Sequence, residues 1–269
     1  MQWQAPCPSM ALASNLSQAN RLLAALPADV RAEVLAACER VELKAQSVVL
    51  QADDALMHAW FPVEGCVSLE LPLKDARPLT VGLIGTEGLF PASIALGGTR
   101  SAFTSRTQGA GQAFRIERPA LLPLLERRPP LRQVLQGYAD VRHRQLARQA
   151  ACVTHHGVEP RLARWLLMAR DRAQASEFFL THEALALMLG ARRESVTQAA
   201  RRMLLRGHIS YSRGYMMLLD EAALAREACP CYQADLQAYE SWWSALAQSL
   251  TTRSTNCSLA TTGTASTKG

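Results

Sequence analysis

Residues Phe179–Leu219, FLTHEALALMLGARRESVTQAARRMLLRGHISYSRGYMMLL, decide how this chain is read. Thr181 suits a helix N-cap, and Glu183 just inside favours the positive end of the helix dipole. Leu185, Met188 and Leu189 form one apolar side, and Ala186 is small enough for a close helix crossing. Gly190 suits the left-handed residue that ends such a helix. In the next helix Val196, Ala199, Ala200, Met203 and Leu204 are spaced for one buried face. Arg193, Glu194, Thr197 and Gln198 are left facing outward, with Arg201 and Arg202 one turn on. Gly207 stops this helix. Ile209–Tyr211 and Tyr215–Leu219, joined through Ser212, Arg213 and Gly214, form a hairpin. A second helix that opens with Arg192, Arg193, Glu194 and Ser195 after a small-residue turn has what reading DNA bases in the major groove requires. Arginine spans both guanine acceptors, Glu accepts from a cytosine amine, and Gln pairs with adenine. The Ser195 and Thr181 hydroxyls suit phosphates, and Arg213 lies on the basic wing. The competing reading is an ordinary helical hairpin whose arginines are solvated. Turn, polar helix start and basic wing together favour double-stranded DNA. The candidate contacts are therefore Thr181, Arg192, Arg193, Glu194, Ser195, Thr197, Gln198 and Arg213.

Composition agrees with a polyanionic partner without demanding one. Against 23 acidic residues stand 29 basic ones, a formal net charge of +6, and mild basicity is common. Lysine occurs only at Lys44, Lys74 and Lys268, so the charge is almost all arginine. Length and a 49% hydrophobic content allow two domains with real cores. No apolar run is long enough to cross a bilayer, and the N-terminus lacks the pattern of a signal peptide. Seven scattered cysteines do not resemble a disulfide framework, so a cytoplasmic protein with no membrane partner is expected.

Ahead of the helix pair the character of the chain changes twice. Ser17–Cys38 has helical spacing broken at Pro27. Ser47–Leu50, Ala59–Leu73, Leu79–Ile84 and Gln112–Ile116 read as strands between glycine turns, the pattern of a β-sandwich or roll. Val67, Leu69, Leu71 and Leu73 alternate with polar residues, which predicts a half-buried strand that ends or meets an edge at Pro72. Pro119 suits the first turn of a short helix that stops at Pro129–Pro130. From Leu131 to Thr154 a long helix is predicted, with Leu131, Val134, Tyr138 and Val141 in a 3-4-3 spacing continued by Gln145, Arg148 and Cys152. That stripe either packs on its own domain or pairs with a second copy. His155–Pro160 reads as a hinge. The following helix carries Leu162, Trp165, Leu166 and Ala169 on one side, with Arg161, Arg164 and Arg172 elsewhere. Glu221–Leu250 is helical in pattern, and Thr251–Gly269 has the composition of a disordered tail.

Cys229-Pro230-Cys231, with His155 and His156 in the hinge, opens a metal or redox reading. Zinc needs four converging ligands, and Cys-x-Cys is not finger spacing, so idle cysteines and no metal site are expected. His182-Glu183 lacks the second histidine of a metalloprotease, and there is no phosphate loop or nucleophile elbow. No enzyme is expected.

THEALALMLGARRESV and RGHISYSRGYMMLLD resemble the winged-helix signature of the Crp/Fnr family of bacterial transcription regulators. FPVEGCVSLE, GLIGTEGLF and the long helix after residue 130 resemble that family's N-terminal β-roll and dimer helix. The likeness spans roughly residues 20 to 230. It implies an α+β chain: an N-terminal jelly-roll-like β-roll, a long central dimer helix and a C-terminal winged helix-turn-helix. The parts are a cyclic-nucleotide-binding-like sensor domain at 17–128, a dimerisation helix and hinge at 129–157, a DNA-binding domain at 158–226, and a helical extension with disordered tail at 227–269. A homodimer on a palindromic operator, working with RNA polymerase and tuned by a signal at the β-roll, is implied too. Within the resemblance Arg193 and Glu194 are the base-reading pair and Ser195 a phosphate contact, while Gln198 stands where cyclic-AMP-responsive members carry arginine. Arg100-Ser101 in GGTRSAF matches the cyclic-phosphate pair. Gly88-Leu89 lacks the ribose-binding carboxylate, so no cyclic nucleotide or other cofactor is expected. The alternatives are a metal- or thiol-based redox sensor using Cys229 and Cys231, and a DNA-binding scaffold without any ligand.

Overall fold

The computed structural model describes residues 20–260 apart from 213, and side chains as far as 249. Two short helices, α1 (Arg21–Ala24) and α2 (Ala28–Ala36), flank Pro27, which cannot continue a helix but caps the next one. Seven strands follow: β1 (Cys38–Leu43), β2 (Val48–Leu50), β3 (His58–Glu64), β4 (Val67–Leu73), β5 (Ala76–Ile84), β6 (Thr104–Thr107) and β7 (Gly111–Glu117). They form antiparallel sheets in the orders β1-β7-β3 and β2-β6-β4-β5, and residues of both sheets share one core. This is the β-roll that the strand pattern implied. The run read as one strand at Ala59–Leu73 is two, split at Gly65, and the short strands β1 and β6 had no clear alternation to announce them. β4 pairs with β6 only as far as Glu70, so Pro72 faces a missing neighbour, as its lost N–H requires. Ser68 and Glu70, read as the wet face of β4, are buried instead. They pair inward, with Ser68 bonding Glu70 at 3.1 Å and Arg106 reaching Glu70 at 3.1 Å.

Helix α3 (Arg118–Arg127) leads into α4 (Pro129–His155), whose two prolines occupy the first turn, where their missing N–H groups cost nothing. The stripe offered for self-pairing is buried within its own chain. Leu131, Val134, Tyr138 and Val141 belong to the β-roll core, and Gln145 and Cys152 are buried as well. His143, Ala147 and Ala150 are exposed on α4, with Leu146 and Val153 half-buried beside them.

Beyond the hinge come α5 (Val158–Ala173), β8 (Glu177–Phe179), α6 (His182–Leu189), α7 (Arg193–Leu205), β9 (Ile209–Ser212), β10 (Tyr215–Leu218), α8 (Glu221–Glu227) and α9 (Cys231–Ala260). α9 carries helix ten residues into the segment expected to be disordered, and residues 261–269 lie outside the described part. It runs back along α4. Trp242 packs on Gly137, where an added Cβ would lie 2.2 Å from the indole nitrogen, and Gln133 bonds Ser249 at 2.6 Å. Only a glycine admits that approach.

Arg161, Arg164 and Arg172, placed away from the apolar side of α5, are all buried. α5 is packed all round, so its arginines find partners inside. Arg161 donates to the Leu189 carbonyl at 2.6 Å, satisfying the end of α6. Arg164, 1% exposed, donates to Asp235 at 2.7 Å and to Gln149 at 2.6 Å. Arg148 reaches the other oxygen of Asp235 at 2.7 Å. One carboxylate thus joins α4, α5 and α9.

Removing one member of a buried pair strands the other's charge. Asp235→Ala is expected to cost about 3–5 kcal/mol in chemical denaturation. Asp140→Ala, which breaks the exposed Asp140–Arg144 pair, should cost less than about 1 kcal/mol. Equal losses would mean that Asp235 is solvated in solution.

Candidate DNA interface

The Thr181 hydroxyl accepts from the Ala184 N–H at 3.1 Å, so α6 is capped as its sequence requires. Gly190 closes it at φ +55, a backbone that other residues adopt only with strain. Ala191 and Arg192 turn the chain, and α7 begins at Arg193. Val196, Ala199, Ala200 and Met203 are fully buried. Leu204, assigned to the same face, is 37% exposed instead.

Arg192, Arg193, Glu194 and Gln198 are exposed, and Ser195 is half-buried. Among the described residues none of these five side chains makes a hydrogen bond or ion pair. Further along, Arg201 is likewise exposed and unpaired among the described residues, while Arg202 and Arg206 are not free. Arg202 is held by Glu159 at 2.6 Å, and Arg206 by Glu159 and Glu227. Unpaired positive charge therefore runs along α7 from Arg192 and Arg193 to Arg201.

Two candidate contacts are committed elsewhere. Thr197 is half-buried, its hydroxyl 3.2 Å from the Nδ1 of His182, which bridges the two helices. Burial, and after it the charge of Arg193, holds the His182 imidazole below its usual range, so it is neutral at pH 7. Thr181 lines a groove of about 300 Å³ against the β-roll, beside Glu70 and Arg106. Arg213 lies outside the described residues. Its neighbours pair Ser212 with Tyr215 and Tyr211 with Met216, and β8 adds a third strand the sequence reading missed.

The helix pair is seated on the β-roll. Glu183 is ion-paired with Arg77 of β5, and Leu79 of β5 packs on Gly190. Cys66, whose thiol burial pushes up to about 12, lines a second seam of about 530 Å³ between the β-roll and Phe178, Met188 and Tyr215.

At the other candidate site the polar side chains bond to backbone groups nearby. Arg100 is exposed and donates to the Asp53 carbonyl. The Ser101 hydroxyl donates to the Phe103 carbonyl at 2.6 Å and accepts the Phe103 N–H at 3.2 Å. Leu89 is wholly buried, and Tyr138 lies against Gly88. Glu87 accepts from the Gly85 N–H at 2.9 Å and faces Arg172 at 3.7 Å.

The hinge holds a cluster that sequence reasoning saw only in part. Cys152 and His156, one turn apart at the end of α4, meet Cys229 in the link after α8 and Cys231 at the start of α9. His155 points to solvent instead. Cys152 was overlooked because its Cys-x3-His spacing has meaning only once both residues are placed on one helix face. The Cys152 thiol is drawn down to about 5, first by the hydrogen bond from Cys229, against burial, and further by His156 and Arg164. The Cys229 thiol is correspondingly raised, by that same bond and by burial.

Residues 40–128 match the model of the cyclic nucleotide-binding domain, and residues 160–227 that of the Crp-like helix-turn-helix domain. No curated protein matches the sequence. Among solved structures, FixK2 from Bradyrhizobium japonicum is 15% identical with a TM-score of 0.63, over 71% of this chain and 98% of that one. CLP, the c-di-GMP-responsive global regulator of Xanthomonas campestris, is 17% identical with a TM-score of 0.60, over 71% and 99%. A crp/fnr-family transcriptional regulator from Eubacterium rectale is 16% identical with a TM-score of 0.61, over 78% and 98%. At such identities the likeness establishes the fold. With a β-roll and a winged helix-turn-helix that each match their domain model, in the order of these neighbours, the chain belongs to the Crp/Fnr family of transcription regulators.

Proposed function

We propose that the protein is a homodimer that reads a two-fold symmetric operator through the first turn of α7 and acts with RNA polymerase in the cytoplasm. One observation carries the reading. Arg192, Arg193, Glu194 and Gln198 stand exposed and unpaired among the described residues, on a helix whose opposite face is buried. Elsewhere many arginines are tied to carboxylates. Leaving these free costs the fold nothing and keeps their donors for base edges. Ser195, at the same end, suits a phosphate oxygen.

The dimer contact we assign to the outer side of α4. His143, Leu146, Ala150 and Val153 repeat at 3-4-3 spacing there, with small residues that allow a close approach to a twin helix. Signal tuning is assigned to the seam between β5 and α6, where Arg77 holds Glu183 and Leu79 meets Gly190. A change in the β-roll would reach the reading helix by that route. The signal is not a cyclic nucleotide on this reading, since Leu89 and the self-bonded Ser101 offer neither a ribose carboxylate nor a free hydroxyl.

Arg193→Ala is expected to lose about 1–3 kcal/mol on the operator and to relax one base position. Equal losses on operator and random duplex would make Arg193 a phosphate contact only. Ala150→Arg should convert the dimer to a folded monomer in sedimentation, with unchanged far-ultraviolet dichroism; a persistent dimer would place the contact elsewhere. Cyclic AMP or cyclic GMP at millimolar concentration should leave the thermal midpoint unmoved, because a ligand that prefers the folded state must raise it.

A further inference from the structure

The convergence at the hinge goes beyond DNA reading. The ligand atoms of Cys152, His156, Cys229 and Cys231 all lie within 4.8 Å of one another. Cys152 Sγ and Cys229 Sγ are 3.5 Å apart, and Cys231 Sγ is 3.6 Å from His156 Nδ1. Zinc with bonds of about 2.3 Å to sulfur and about 2.0 Å to nitrogen sets tetrahedral edges of roughly 3.8 Å for S···S and roughly 3.5 Å for S···N. Both edges in the structure are close to those lengths. A disulfide needs its sulfurs at about 2.05 Å and would leave Cys231 and His156 without a role. Three thiols and one imidazole form a ligand set that favours zinc over oxygen-seeking cations.

We propose that Cys152, His156, Cys229 and Cys231 form a closed tetrahedral zinc site that staples the two ends of the DNA-binding unit together. Its position gives it that role. The chain leaves α4 at His156, builds α5 through α8, and returns at Cys229, so residues 157–228 form a loop closed by the metal. The Cys229 N–H donates to the Pro160 carbonyl at 3.2 Å, so the two ends already touch. Three thiolates around one Zn²⁺ leave a single negative charge, and the Arg164 guanidinium beside them offsets it. With four protein ligands no position is open to substrate, so the metal holds structure and performs no chemistry. Binding deprotonates the thiols and releases protons, and it closes a long loop whose ends would otherwise separate.

The test uses the full chain, purified under reducing conditions, stripped by chelator and titrated with zinc or cobalt. One equivalent of metal should bind, raising the thermal midpoint and slowing hydrogen exchange at residues 156–160. Cobalt should show the strong visible bands of a tetrahedral ion with thiolate charge transfer. His156→Ala, at the half-buried edge of the cluster, should weaken zinc more than about 100-fold, beyond what losing an outer hydrogen bond costs. Cys38→Ser, outside the cluster, should bind as the parent does. Three results would overturn the proposal: no uptake of near-stoichiometric zinc, a cobalt spectrum unchanged by His156→Ala and Cys231→Ser, or bound zinc with unchanged exchange at the hinge. None of these readouts involves DNA, so they stand or fall apart from operator binding.

Discussion

The carboxylate of Asp235 holds the arrangement together. It accepts from Arg148 on α4 and from Arg164 on α5, and it stands on α9. The β-roll, the DNA-reading unit and the C-terminal helix therefore meet at one charge. A buried ion pair adds little net stability over an apolar contact of the same shape. Its effect is on arrangement: if α9 slid by a turn, Arg164 would be left charged and unpaired in a dry interior. Gln149, Arg142 and Gln145 extend the same polar layer along α4. The Cys–His cluster adjoins it at the hinge, where the two domains join.

Around that junction the arginines divide into two populations. Arg161, Arg164 and Arg172 are inside the protein, and Arg202 and Arg206 are neutralised by Glu159 and Glu227. At the start of α7 no acidic partner is supplied, apart from Glu194, which is itself exposed and unpaired. Among the described residues this mildly basic protein thus leaves Arg192, Arg193 and Arg201 free along one helix. Net charge describes the attraction to a polyanion, and the local distribution of charge describes what is read.

The β-roll keeps the family's architecture, with apolar and aromatic side chains around Gly88. Leu89 and Tyr138 fill space near the position of the missing carboxylate, and Ser101 spends its hydroxyl on its own loop. The seat of α6 on β5 remains, through Arg77 and Leu79. The β-roll thus contacts α6, and α6 in turn packs against α7.

Much of this was legible along the chain. Thr181, Gly190 and Gly207 mark the helix ends, and the spacing of Val196, Ala199, Ala200 and Met203 names the buried face, because capping and periodicity are local properties. The run Gln112–Ile116 likewise announced β7. What depends on distant partners was not readable. Arg164 looks like a solvated arginine until Asp235, some seventy residues later, is brought beside it. The stripe on α4 fits a twin helix as well as its own core, and only the packing of the β-roll and of α9 decides between them. Cys152 and Cys229 sit seventy-seven residues apart, and no local pattern connects them. Local backbone chemistry determines the elements and the face each buries; tertiary structure alone decides which charges, thiols and helix faces meet, since those meetings are set by how the whole chain excludes water.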